Sequence, residues 1–330
     1  MITRTAAWKN ALADAVRDPE ELLNLLALPS RLIEAARDAA RSFPLRVPRG
    51  FIARMEPGNI DDPLLKQVLP LKEEFDVAPG YVADPVGDLH ASPVPGLLHK
   101  YHGRVLLIAT GACAINCRYC FRRHYPYGDA LSEKNDWQPA LEYIAADDTI
   151  TEVILSGGDP LLLDDTSLAR LAERIAAIPH VSRLRIHTRV PVVLPQRVDD
   201  NLLQWLGNSR LQRIVVIHAN HPAEIDATVA QAMSRLRGIG VSLLNQAVLL
   251  RGVNDEVDTL CSLSERLNAV GVLPYYLHLL DRVAGGAHFE VPEPVALELV
   301  QQMRLRLPGY LLPRLARELE GLPYKLQPSL

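Results

Sequence analysis

From residue 104 onward the chain alternates short apolar runs, several rich in β-branched residues, with longer amphipathic stretches. The runs are RVLLIAT, TEVILSGG, SRLRIHTR, LQRIVVIHAN, VSLLNQAVLL and VLPYYLHLLD, and segments such as LARLAERIAAI and ATVAQAMSRLRGIG lie between them. Strand-length runs separated by helix-length segments are the pattern of a parallel sheet with crossover helices. Six such units predict an α/β protein, a partial (β/α)6 TIM-like barrel. In barrels of this kind the polar residues that end each strand project over the mouth, where chemistry gathers.

The flanking regions read differently. Residues 1 to about 75 predict helices, with Ser30 placed to cap RLIEAARDAARSF and Pro29, Pro44 and Pro48 punctuating the pieces. Residues 76–98 are rich in Pro and Gly and predict an ordered connection. After about residue 285 a proline-started helix, PEPVALELVQQMRLRL, leads into PGYLLPRLARELEGLPYKLQPSL. The expected division is an N-terminal helical region and connection over 1–98, a barrel over 99–290, and a C-terminal segment over 291–330.

Composition narrows the function. With 48% hydrophobic residues in 330, the chain can bury a large core. Lys and Arg number 35 against 39 Asp and Glu, a net charge of -4, and no block of like charge suggests nucleic-acid binding, so a small-molecule substrate is expected. Arg4, Lys9, Asp14 and Arg17 interrupt the first segment where a signal peptide needs an apolar run, and no later uncharged apolar run is long enough for a membrane span. The expectation is a soluble, cytoplasmic protein.

Of four cysteines, three fall within eight positions, a pattern for metal ligation rather than disulfides. Cys261 stands alone and reads as a half-buried helical thiol. Cys113-Ala-Ile-Asn-Cys117-Arg-Tyr-Cys120 follows directly on the first barrel run, so its thiolates share one loop at a strand's C-terminal end. A 4Fe-4S cluster for electron transfer normally takes four cysteines, and three leave one iron open to a ligand. The alternative is a Cys3His zinc module with no enzymatic role, His124 supplying the fourth ligand.

The CxxxCxxC motif resembles that of the radical S-adenosylmethionine (SAM) superfamily. The stretches VPGLLHKYHGRVLLIATGACAINCRYCFRR, LSGGDPLL, IHANHP, NQAVLLRGVND and PYYLHLLD resemble, in order and spacing, the lysine 2,3-aminomutase family over residues 85–330. Within it the chain is similar to the short members that make β-lysine for modification of elongation factor P; it stops five residues after Lys325, where the fermentative lysine enzymes continue. Glutamate 2,3-aminomutases and fermentative lysine 2,3-aminomutases are the competing readings.

The resemblance implies an isomerase that converts (S)-α-lysine to (R)-β-lysine with three cofactors: a 4Fe-4S cluster on Cys113, Cys117 and Cys120, SAM, and pyridoxal 5'-phosphate on Lys325. It places Lys100, Tyr101 and Arg104 at the pyridoxal phosphate, with Lys100 where an Arg is common. It also places His218 and Gln246 in the cofactor pocket, and Ser156, Gly157, Gly158 and Asp159 beside SAM. Arg122, with Arg123 as the alternative, matches the clamp on the substrate carboxylate. Asp281 matches a carboxylate for the distant ammonium, and Glu318 the second, where the family has Asp. A carboxylate at the substrate's far end favours lysine over glutamate, which would require a cation there. The implied partners are an electron donor and, through the product, elongation factor P with its separate ligase.

Overall fold

The computed structural model describes residues 6–130 and 137–328; Arg4 lies outside them. Each of the six apolar runs forms a strand: β2 Arg104–Thr110, β3 Glu152–Gly157, β4 Arg183–Thr188, β5 Gln212–Ile217, β6 Ser242–Val248 and β7 Leu273–His278. Two more extend the sheet, β1 Leu97–Tyr101 and β8 Arg314–Ala316, giving eight strands in sequential order. β2 to β8 are parallel, and β1 joins β2 antiparallel across a tight turn at His102 and Gly103. The sheet runs from edge strand β1 to edge strand β8 without closing, the partial barrel expected, with strands on either side of the predicted six.

Strand burial follows topology. Central β3 is buried along its whole length, as its unbroken VILSG run requires. β4 alternates instead: Leu184, Ile186 and Thr188 are buried, while Arg183, Arg185 and His187 occupy the other, partly open face. That second face carries polar partners, Arg185 on Glu152 at 2.7 Å and His187 packed edge-on to His218 of the next strand's end. The barrel interior is therefore lined by polar side chains, and the apolar core lies between sheet and helices.

Three of the crossover helices begin at aspartate caps. Asp164 accepts from Ser167 N ahead of helix Asp165–Ala176, and Asp226 accepts from Val229 N ahead of Ala227–Gly238. Ser30 makes no such cap. It opens a short 3-10 turn after Pro29, and the helix proper starts at Ile33. Five short helices between Ala7 and Lys66 join the main core through Trp8, Leu22, Phe51, Leu64 and Leu65. Among the described residues no helix is long and apolar enough to cross a membrane.

Candidate active site

The cysteine loop leaves β2 at Thr110 and is gripped from two sides. On one side the N-terminal region supplies Arg46, whose guanidinium donates to Cys113 O at 3.0 Å, and Glu74, whose carboxylate takes Arg118 and Arg123 together. Arg118, 1% exposed, also donates to Phe43 O and stacks on the Phe43 ring. On the other side β3 ends in Gly157 and Gly158, which lie hard against the loop's backbone. A Cβ on Gly158 would sit 2.3 Å from Ala112 O and one on Gly157 2.5 Å from Thr110 O, and Gly157 has φ +118°. Only glycine fits that approach.

The three thiols are half-buried and free. Burial, then the other two cysteines and Asp159, push Cys113 well above its usual range, and burial with Cys117 raises Cys120 to about 11. Clustered, desolvated thiols of this kind need a cationic centre to ionise, so the donor set suits an iron-sulfur cluster. Arg189, buried at the end of β4, donates to Cys117 Sγ at 2.7 Å and is itself held by Gln67 and Glu224. His124 turns elsewhere, to Ala284 O at 3.1 Å. The zinc reading thereby loses its fourth ligand.

A second group of charges forms where β1 and β8 approach across the open edge. Glu318, just past β8, receives Lys100 Nζ of β1 at 3.0 Å and the Lys325 ammonium. Burial alone would raise the Glu318 carboxyl, but Lys325 and Lys100 hold it down to about 2. Burial and Glu318 push the neighbouring Tyr101 phenol up, and Arg104 stacks on the Tyr101 ring at 4.6 Å. The Lys100 ammonium and the Tyr101 phenol are donors suited to a phosphate dianion, and Lys325 offers an amine for the aldehyde, so these residues fit pyridoxal phosphate. Glu318, expected at the substrate ammonium, instead bridges the two lysines.

Asp281 lies three residues past β7, and its side chain makes no hydrogen bond or ion pair among the described residues. Burial, then Glu318, raise it to about 7. Arg122 points into the barrel, 8% exposed, with Nε on Asp88 at 2.6 Å and Nη1 on Ser156 Oγ at 3.2 Å. Arg123 is spent on Glu74 and on the carbonyls of Arg118 and Gly285, which leaves Arg122 as the residue able to meet a substrate. His218 and Gln246 share a hydrogen bond of 2.9 Å. Burial lowers His218 to about 3, and His278 likewise with Lys325 close by. Neutral imidazoles therefore line the interior.

Asp159 departs from expectation. Its oxygens accept from Leu161 N, Thr188 Oγ1, Arg189 N and Val190 N, and it is 5% exposed. Desolvation still raises it to about 6. The carboxylate ties β3 to β4 and is saturated by protein donors, so it has no bond to give a cofactor. Arg46, Glu74, Asp88, Arg189, His187 and His278 escaped sequence reasoning; for Arg189 and His278 the signal was present, a polar residue at the C-terminal end of a barrel strand.

A radical SAM cluster loop on a partial barrel is the class this geometry defines. Residues 107–263 match the family model of the radical SAM superfamily, and membership implies a 4Fe-4S cluster and SAM. The chain is 52% identical to an L-lysine 2,3-aminomutase of Escherichia coli, covering 96% of this chain and 93% of that one. It is 49% identical to the enzyme of the same name from Haemophilus influenzae (96% and 94% covered) and 33% identical to that from Clostridium subterminale (95% and 76%). The chain belongs to the lysine 2,3-aminomutase family of radical SAM isomerases.

Proposed function

We propose that the protein converts (S)-α-lysine to (R)-β-lysine, with pyridoxal phosphate on Lys325, and that the product serves the modification of elongation factor P. The observation that carries the substrate assignment is Asp281, a desolvated carboxylate whose side chain is bonded to no cation among the described residues. A ligand ammonium would supply the missing charge, whereas a glutamate side chain would meet a like charge. Arg122 supplies the opposite pole, a planar fork suited to an α-carboxylate. The elongation factor P assignment rests on the sequence resemblance alone, as do the electron donor and the separate ligase; the cytoplasmic location rests on the charge pattern of the sequence.

When bound, the iron-sulfur cluster and SAM supply a carbon radical, and pyridoxal phosphate supplies an imine able to stabilise a neighbouring radical. The chain's own residues bind and orient. Cys113, Cys117 and Cys120 offer three thiolates, and Arg189 supplies a hydrogen bond to one of them. Glu318 Oε2 lies against Lys325 Nζ, the amine that must give up a proton before acting as a nucleophile. His187, His218 and His278, held neutral, line the interior without adding positive charge. Anaerobic reconstitution with iron, sulfide, pyridoxal phosphate and SAM, followed by product analysis with lysine and glutamate side by side, should yield β-lysine; β-glutamate as the main product would overturn the substrate assignment.

A further inference from the structure

The expected site residues leave one buried charge without a task. Asp88 lies in the Pro and Gly-rich connection, 2% exposed. Its backbone N–H donates to Asp84 Oδ1 at 2.9 Å, and Lys100 Nζ donates to Val86 O at 2.7 Å, so the segment is pinned at both ends. Its two oxygens are divided: Oδ2 takes Arg122 Nε at 2.6 Å and Oδ1 takes Lys100 Nζ at 2.5 Å. A single carboxylate thus touches both the residue read as the substrate-carboxylate clamp and one read as a phosphate ligand.

The division has a directional consequence. A guanidinium carries five N–H donors in a rigid plane. Asp88 takes Nε and Ser156 takes one Nη1 hydrogen, which leaves Nη2 and the second Nη1 hydrogen, unbonded among the described residues, for an incoming carboxylate. The same contact matches charge. Arg122 and Lys100 are two cations, and Asp88 with Glu318 gives two anions around them. Lys100 keeps Glu318 if the Asp88 carboxylate is neutral, whereas Arg122 is bonded to no other carboxylate among the described residues, so the loss falls hardest on Arg122.

We propose that Asp88 is a positioning residue, fixing the Arg122 guanidinium so that its end-on face receives the α-carboxylate of the amino-acid substrate while anchoring Lys100 beside it. The proposal rests on the lysine and pyridoxal phosphate reading above.

The test uses the reconstituted holoenzyme and two amines, L-lysine and 1,5-diaminopentane, which is lysine without its carboxylate. Binding of each is followed by the change it produces in the visible absorbance of the bound pyridoxal phosphate. In Asp88→Asn, lysine binding should weaken about 10- to 100-fold, as when a supporting hydrogen-bond partner is removed, while diaminopentane binding stays within about twofold. Asp88→Glu, which keeps the charge, should recover part of the lysine loss and covers the case in which the amide variant fails to assemble. Equal weakening for both amines in both variants would make Asp88 a purely structural carboxylate and overturn the proposal, and unchanged or tighter lysine binding would do the same. Absence of the absorbance band from the unaltered enzyme would instead remove the cofactor reading, and this proposal with it.

Discussion

Two charged networks lie within the same barrel and differ in how completely they are satisfied. Around the cysteine loop, Glu74 takes both Arg118 and Arg123, Arg189 is shared between Gln67, Glu224 and Cys117, and every one of these side chains is buried or nearly so. At the open edge between β1 and β8, Glu318, Lys100 and Lys325 are half-buried and pair with one another, while Asp281 beside them pairs with nothing described. The first network is a frame that protein groups complete. The second is less complete, and under the proposed function substrate and cofactor complete it. Buried ion pairs are weak evidence of stability in themselves, but removal of one partner from such a pair is costly.

Removing the nucleophile should separate the networks most sharply. Lys325→Ala is expected to abolish both the visible absorbance of reconstituted enzyme and β-lysine formation, because among the described residues the one other lysine beside Glu318 is Lys100, which Asp88 and Val86 O also hold. Iron and sulfide content should match the unaltered protein, since the cysteine frame is untouched. A variant that keeps the band would break the assignment of Lys325.

The converse substitution attacks the frame. Glu74→Gln takes the shared charge from Arg118 and Arg123, 1% and 2% exposed in their side chains, and should cost about 3–5 kcal/mol of unfolding free energy by denaturant titration. Iron content should fall with it, whereas the protein that still assembles should bind lysine as before. Stability within about 1 kcal/mol of the unaltered chain would show that water or a shifted neighbour replaces the carboxylate.

The difference between the networks also explains what could be read from sequence. The six strand runs are legible because each is strand-length and bounded by helix-period segments, and the cysteine spacing is local, so both survive without tertiary information. β8 is only three residues long, and β1 hides behind the Pro and Gly-rich connection, so neither presents a period to detect. Charges are harder. Glu74 and Arg118 are 44 residues apart, Asp88 and Arg122 34, and Gln67 and Arg189 122, and nothing local couples them. The motif residues of IHANHP and RGVND divide similarly: Asn220 and Asn254 are buried and hydrogen-bond strand-end backbone, while His218 faces the interior. Motif position identifies a residue as constrained but does not say whether structure or chemistry constrains it. Asp159 is the case in point, a charged motif residue wholly consumed by four protein donors.

The smallest expected effect concerns the incomplete network alone. Burial and Glu318 hold the Asp281 carboxyl at about 7 before ligand enters, so below that pH the group is protonated and uncharged. A lysine ammonium pairs only with the ionised form, and below about pH 7 each unit of acidification should weaken lysine binding by up to about tenfold, with the affinity levelling above pH 7. The sign follows from the direction of the shift: a carboxyl at its ordinary value near 3.8 would give a flat profile across this range. Spectral titration of reconstituted enzyme with lysine between pH 6 and 8 measures it, provided glutamate is run alongside as the control that lacks the ammonium. Asp281→Asn should lose β-lysine formation yet still cleave SAM, and its residual lysine binding should lose the pH step; a step that persists in this variant would move the titrating group to another residue of the set.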